Sequence, residues 1–139
     1  MKIGNYFIGD KYKPFVIAEV GINHNGDIKL AKKMISSAKE SGADAVKIQS
    51  FRVENFCLKN STYYKLFEKC QLDEAELSEL YDYSQKLGII FFSSVFDEWS
   101  VNVNYKLNTK CYKISSGDIN NFPLLNMVAK KSLPIILST

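Results

Sequence analysis

One histidine, one tryptophan, three prolines and three cysteines are all that 139 residues contain of those types. Each scarcity excludes something. A lone imidazole is not a metal site, which usually takes at least three protein ligands. Cys57, Cys70 and Cys111 are odd in number, widely spaced and without a C-x-x-C pair. They read as reduced thiols of a cytoplasmic protein, not as a disulfide frame or a zinc site. No run of 18 apolar residues occurs, and the opening "MKIGNYFIGDKYK" has no apolar signal core, so neither a membrane span nor standard secretion is expected. A net charge of +3 is too small and too dispersed to mark a nucleic-acid partner. What remains, 46% hydrophobic and 24% charged residues, is the composition of a soluble domain with one core.

Five short apolar, β-branched or aromatic runs punctuate the chain: "FVIAEV" (15–20), "AVKIQS" (45–50), "IIFFSS" (89–94), "CYKISS" (111–116) and "PIILS" (134–138). Near-continuous apolar character over so few residues suits strands buried on both faces, as in a parallel sheet. Helical patterns lie between them. "DIKLAKKMISSAKESG" sets Ile28, Ala31, Met34, Ile35 and Ala38 on one stripe and ends at Gly42. "LDEAELSELYDYSQKLG" opens with Asp73 and Glu76 at capping-box spacing, turns Leu77, Leu80, Tyr81 and Leu87 inward, and stops at Gly88. "NNFPLLNMVAKKS" has Pro123 in its first turn, with Leu124, Leu125 and Val128 facing inward. "DEWSVNVNYKL" is a weaker helix, because two Asn and two Val lower its propensity. A longer insertion, about 52 to 72, separates the second strand from the second helix, and within it "KNSTYYKLFEKCQ" (59–71) reads equally as a lid over a site or as a surface helical turn after a long loop.

The order β-α-β-α-β-α-β-α-β implies right-handed crossovers and a parallel sheet. A doubly wound open sheet fits, and so does part of a (β/α)₈ TIM barrel. A whole barrel takes about 250 residues. Five strands would then be just over half of one, and the chain is expected to be cut short as its fifth strand ends.

The strands share a habit: each is apolar first and polar last. "FVIAE" ends in Glu19, "AVKIQS" carries Lys47 and Gln49, and "FFSS" ends in Ser93 and Ser94. "CYKISSGD" carries Lys113, Ser115, Ser116 and Asp118, and "IILST" ends in Ser138 and Thr139. In parallel α/β folds ligands bind at the carboxyl ends of strands, so these groups define a candidate site. Lys47 and Lys113 alternate with apolar neighbours and so face the middle of the sheet or barrel. A buried ammonium is costly unless paired. Two of them beside serine hydroxyls suit a phosphate or carboxylate ligand. The bland alternative pairs each with an internal carboxylate such as Glu19 or Asp118, and nothing singles out a Schiff-base lysine. In "GINHNG", His24 reads either as a loop residue bonded to its own turn or as part of a site rim. Asn23 and Asn25 tolerate left-handed backbone or cap the next helix. Trp99 and the Tyr and Phe residues read as packing.

"IAEVGINHNGD", "AKESGADAVKIQSF", "FFSSVFDEWSV", "YKISSGDINNFPLL" and "KKSLPIILST" resemble, in order and spacing, the N-terminal part of the sialic acid synthase family. That family includes the N-acetylneuraminate, legionaminate and pseudaminate synthases. The resemblance implies a (β/α)₈ barrel followed by a small antifreeze-like domain, of which residues 1–139 would be the first barrel portion. It implies condensation of phosphoenolpyruvate with an N-acyl amino sugar such as N-acetylmannosamine, giving a nine-carbon 2-keto sugar acid and phosphate. A divalent metal, manganese or magnesium, polarises the sugar aldehyde in that chemistry. On the same resemblance Glu19 takes the catalytic position, and Lys47, Ser94, Lys113 and Ser116 take substrate positions, with Asn23 and His24 shaping the rim; Gln49, from its place at a strand end, joins the substrate-binding candidates.

Two departures accompany it. Ser94 stands where many members have Thr, and Val95 where the family usually has Pro. The family's metal-binding histidines lie on later strands, so no metal ligands are expected here. The chain alone is therefore expected to be inactive, its full-length form a homodimer, and its open strand edge prone to association. Two alternatives stay open: another phosphoenolpyruvate-dependent 3-deoxy sugar acid synthase, or a non-catalytic anion-binding or interaction chain.

Overall fold

The computed structural model describes residues 1–139. A short antiparallel hairpin, β1 (Lys2–Ile3) and β2 (Tyr6–Phe7), precedes the main layer. Then come β3 (Ile17–Gly21), α1 (Ile28–Glu40), β4 (Ala45–Ser50), α2 (Val53–Phe56), α3 (Tyr64–Cys70) and α4 (Glu74–Leu87). They are followed by β5 (Ile90–Val95), α5 (Glu98–Lys106), β6 (Tyr112–Ile114), a 3₁₀ turn at Ser116–Asp118, α6 (Phe122–Ala129) and β7 (Ile135–Leu137). The five long-range strands pair in parallel in the order β3-β4-β5-β6-β7. Strand order that follows chain order has no switch point, which separates a partial (β/α)₈ barrel from a doubly wound sheet.

Alternation along the strands sorts the two faces. Val46, Ile48 and Phe91 turn to Ala31 and Ile35 of α1 and to Leu77 and Leu80 of α4, forming the larger core. Tyr112 and Ile114 meet Val101 of α5 and Leu124 and Val128 of α6 in a second cluster. The residues in between point the other way. At the amino ends of the strands Ala45, Phe92 and Cys111 bury against Ile3, with Ile8 and Phe15 alongside. The hairpin thus plugs the floor of the barrel interior, so the polar residues further along the same face have only the carboxyl end open to them. Two-residue strands carry too little periodicity to be foreseen, and this plug was not.

Local chemistry sets the helix ends. Asp27 caps α1, accepting from Lys29 N at 2.8 Å and Leu30 N at 3.1 Å. Asp73 and Glu76 form the expected reciprocal box at α4, and Gly88 ends that helix with φ +66°. The low-propensity segment is helical as α5 because Asp97 and Ser100 cap it and Asn104 turns inward, donating to Ser100 O at 2.8 Å. Val95, the departure from the family pattern, is wholly buried at the end of β5 beside Val101 and Tyr112. The turn falls one residue later, at Phe96 and Asp97.

The 52–72 stretch is two helices packed down by an aromatic cluster. Phe51 stacks on Phe56 with centroids 4.6 Å apart, and Phe67 and Phe96 meet Phe56 edge-on at 4.8 and 4.7 Å. Asp97 ties the cluster to β5, accepting from Arg52 N at 2.8 Å and from Asn55 Nδ2 at 3.3 Å. Trp99 packs rather than stacking on a ligand: the Arg52 guanidinium lies 3.7 Å above its ring. All three cysteines are free thiols, and burial pushes Cys111 up to about 12. No helix is long and apolar enough to cross a membrane.

Candidate functional site

Register brings the polar strand ends together. Glu19 lies opposite Lys47, Gln49 opposite Ser94, and Ser94 opposite Lys113 on three successive parallel pairs. The β3–β4 pairing slips between Glu19 and Gly21. Such irregularities occur beside functional sites, and this one follows directly on the Glu19–Lys47 pair, which the unbroken ladder from Ile17 sets.

Lys47 is buried, with 6% of its side chain exposed, whereas Glu19 on the edge strand keeps 58%. The Lys47 ammonium lies 2.9 Å from Glu19 Oε1 and donates to Ser94 Oγ at 2.6 Å. The internal-carboxylate alternative thus describes Lys47. Lys113 differs: its ammonium donates to Ile114 O and Ser138 Oγ, both at 2.6 Å, and makes no ion pair. Burial, and next the Lys47 charge, draw Lys113 below the usual lysine range, with Glu19 opposing.

These groups open on a cavity of about 560 Å³ at the carboxyl ends of the strands. Glu19, Asn23, Lys47, Gln49, Ser94, Lys113 and Ser116 all line it. Ser115 and Ser138, noted at strand ends, join them. Phe56 and Phe67 complete the wall; neither was named as a site residue, although Phe67 lies in the segment weighed as a lid. The uninterrupted "QSFRVENF" already placed an aromatic six residues past the strand end at Ser50, the only signal for Phe56. A second opening of about 550 Å³ runs between β3 and α1 past Ala18, Leu30 and Met34. It is an apolar groove on the unpaired side of an edge strand. The chemistry belongs where the lysines are.

His24 does not reach the cavity, which corrects its expected place on the rim. The ring is fully buried, and its Nδ1 accepts the Gly26 N–H at 3.1 Å. That leaves the proton on Nε2, which is buried without a partner, and burial lowers the pKa. The ring shapes the turn from within. Ser93 also turns away from the cavity, accepting from Ser50 at 2.7 Å, as period two demands of a neighbour of Ser94. Asp118 accepts from Asn121 at 3.3 Å and holds no lysine.

No three His, Cys, Asp or Glu side chains come together as a metal site. Glu19 is the one carboxylate on the cavity, so the residues present do not fit a divalent ion by themselves. The arrangement can hold a compact anion on two ammonium groups and several hydroxyls, with a carboxylate beside it.

A parallel sheet in chain order, with lysines and serines lining a cavity at its strand ends, defines an α/β protein of the partial (β/α)₈ barrel class. More narrowly, the chain belongs to the NeuB family, matching it over residues 34–139. A protein of Methanocaldococcus jannaschii is 46% identical over 139 residues, covering 100% of this chain and 41% of its own length. N,N'-diacetyllegionaminic acid synthase of Legionella pneumophila is 41% identical over 145 residues, covering 94% of this chain and 41% of its own. The crystal structure of N-acetylneuraminic acid (sialic acid) synthetase from Leptospira borgpetersenii, in complex with citrate, superposes with a TM-score of 0.95 at 35% identity. That likeness covers 99% of this chain and 48% of the Leptospira one. The chain spans less than half the length of each of these relatives.

Proposed function

We propose that this chain supplies the phosphoenolpyruvate-binding part of a barrel that condenses phosphoenolpyruvate with an N-acyl amino sugar. The products are a nine-carbon 2-keto sugar acid and inorganic phosphate. One observation carries the reading: Lys47 and Lys113, on strands separated by β5, present their ammonium groups to one cavity that Glu19 also lines. Two cations and the hydroxyls of Ser94, Ser116 and Ser138 suit a small ligand bearing both carboxylate and phosphate. The names of the legionaminic and neuraminic acid relatives point to the same product class.

In this reading the lysines bind and orient phosphoenolpyruvate, so that its C3 faces the acceptor aldehyde. Bond formation from C3 to the aldehyde carbon leaves positive character at C2. Water adds there, and the tetrahedral carbon then expels phosphate toward the lysines. Glu19 handles a proton at the attacking water or at the new hydroxyl. Gln49 and Asn23 hydrogen-bond the acceptor from the open side, and Phe56 and Phe67 keep bulk water from that wall. For a divalent metal these residues supply only Glu19.

The test is calorimetric titration with phosphoenolpyruvate of the chain, Lys47→Ala and Lys113→Ala, each shown folded by circular dichroism. Binding that both substitutions abolish is expected. Binding indifferent to both, or none by the folded chain, overturns the assignment.

A further inference from the structure

The buried cation of the cradle is already occupied. Glu19 Oε1 stands 2.9 Å from Lys47 Nζ, and Ser94 Oγ takes a second N–H at 2.6 Å. A carboxylate therefore sits where an entering anion has to sit. We propose that Glu19 is an internal competitor for the anion site, neutralising Lys47 while the cavity is empty and yielding to the ligand's own anionic group. This rests on the anion-binding reading above and adds a regulation of that same site.

Three features carry it. Lys47 is 6% exposed, and an ammonium so placed is costly with no anion near it. Glu19, by contrast, lies on an edge strand at a slip in the ladder with 58% of its side chain in water, so it has room to leave and solvent to receive it. Lys113, the second cation, holds only neutral oxygens and is free to draw the anion in. An ion pair with one end in water stabilises weakly, so displacing it costs the ligand little. Glu19 is also the carboxylate assigned to proton handling. Its release on anion entry frees it for that work only when there is a ligand to act on.

The experiment titrates the chain, Glu19→Gln and Asp118→Asn with phosphoenolpyruvate and, separately, with inorganic phosphate. Glu19→Gln is expected to bind phosphoenolpyruvate up to about fivefold tighter, the gain from removing a half-exposed pair. Asp118→Asn changes the net charge equally at a residue that accepts from Asn121 and holds no lysine, and is expected to stay within about twofold of the parent because solvent screens a part-exposed charge. Tightening toward both ligands assigns the displacement to the phosphate group. Tightening toward phosphoenolpyruvate alone assigns it to the carboxylate.

Equal or weaker binding by Glu19→Gln overturns the proposal, since Glu19 would then hold Lys47 in place for the ligand. So does an equal gain in Asp118→Asn, which would reduce the effect to net charge. Glu19→Asp, one methylene too short to hold Lys47 as closely, is the second variant and is expected to tighten as well. If the parent binds and Lys47→Ala does not, the anion site stands whatever Glu19 does. If no variant binds either ligand, both readings fall together.

Discussion

Lys47 and Lys113 face one cavity with unlike partners: the first holds a carboxylate at 2.9 Å, the second two neutral oxygens at 2.6 Å. The inequality gives the two lysines different energetics, and each is separately testable.

On the proposed function, Lys47 binds the ligand at a cost to the fold. Its charge is buried, whereas its ion-pair partner is mostly in water and needs no rescue once alone. Replacing a buried charge by an apolar chain of similar volume is often neutral or stabilising. Lys47→Met is therefore expected to change unfolding stability by no more than about 1 kcal/mol, the cost of the Ser94 hydroxyl losing its partner. The same substitution is expected to abolish phosphoenolpyruvate binding. Urea denaturation beside calorimetry checks both, and a loss of several kcal/mol would show that Lys47 holds the fold.

Lys113 gives a pH signature with opposite slopes. Burial and the neighbouring Lys47 lower its pKa, so it loses its proton before an ordinary lysine at about 10.4 does. Anion affinity needs the ammonium and is expected to fall as pH rises through that lowered value. Stability moves the other way. In the same window the unfolded chain binds more protons than the folded one, so stability rises with pH. Lys113→Arg, which stays charged, is expected to keep its anion affinity through that window, as calorimetry at stepped pH would show. A parent affinity flat to about pH 10.4 would rule out Lys113 as a contact.

His24 yields an acid-side prediction. It is buried neutral, with Nδ1 accepting from Gly26 and its pKa lowered. Unfolded histidine takes a proton near about 6.5, so the stability His24 contributes is present above that pH and is lost as pH falls toward the folded value. His24→Asn, whose side-chain oxygen replaces the Nδ1 acceptor, is expected to be less stable at neutral pH but to lose less on acidification. Urea midpoints at pH 7.5 and 5.5, two conditions spanning about 6.5, measure that difference. Equal acid sensitivity in both chains would place the titration elsewhere.

Much of this was legible from the chain alone. The strand runs, the Asp73–Glu76 cap and the glycine stops each depend on a few adjacent residues, and all reappear in the structure. The strand-end polar residues were legible because period two and parallel register carry them to one edge without long-range information. His24 and the aromatic wall were less so. Whether a turn residue points into a cavity or under it depends on what packs beneath, and Phe56 and Phe67 reach the cavity through a cluster spanning residues 51 to 96. The Glu19–Lys47 pair was weighed in advance, but which lysine would own the carboxylate is decided by the strand order and register that set β3 beside β4, which leave no mark in composition.

The slip in the β3–β4 ladder runs straight into the turn where Gly26 meets α3, and the contact is close enough to test. Gly26 has φ +76°, and a Cβ placed there would lie 2.1 Å from the Lys69 carbonyl oxygen at the end of α3. The turn carries Asn23 and α3 carries Phe67, both on the cavity wall. Gly26→Ala is therefore expected to destabilise by about 3 kcal/mol, left-handed strain plus a backbone clash. It is also expected to weaken phosphoenolpyruvate binding as turn and helix are forced apart. Gly42→Ala is the matched control: its φ is +84°, but nothing lies within 4 Å of the added carbon. It should carry only the backbone strain, about 1–2 kcal/mol, and leave binding unchanged. Urea unfolding and calorimetry on the pair separate conformation from contact. Equal effects on stability and affinity at both positions would mean that the turn and α3 are not in contact in solution, and that Asn23 and Phe67 reach the cavity independently.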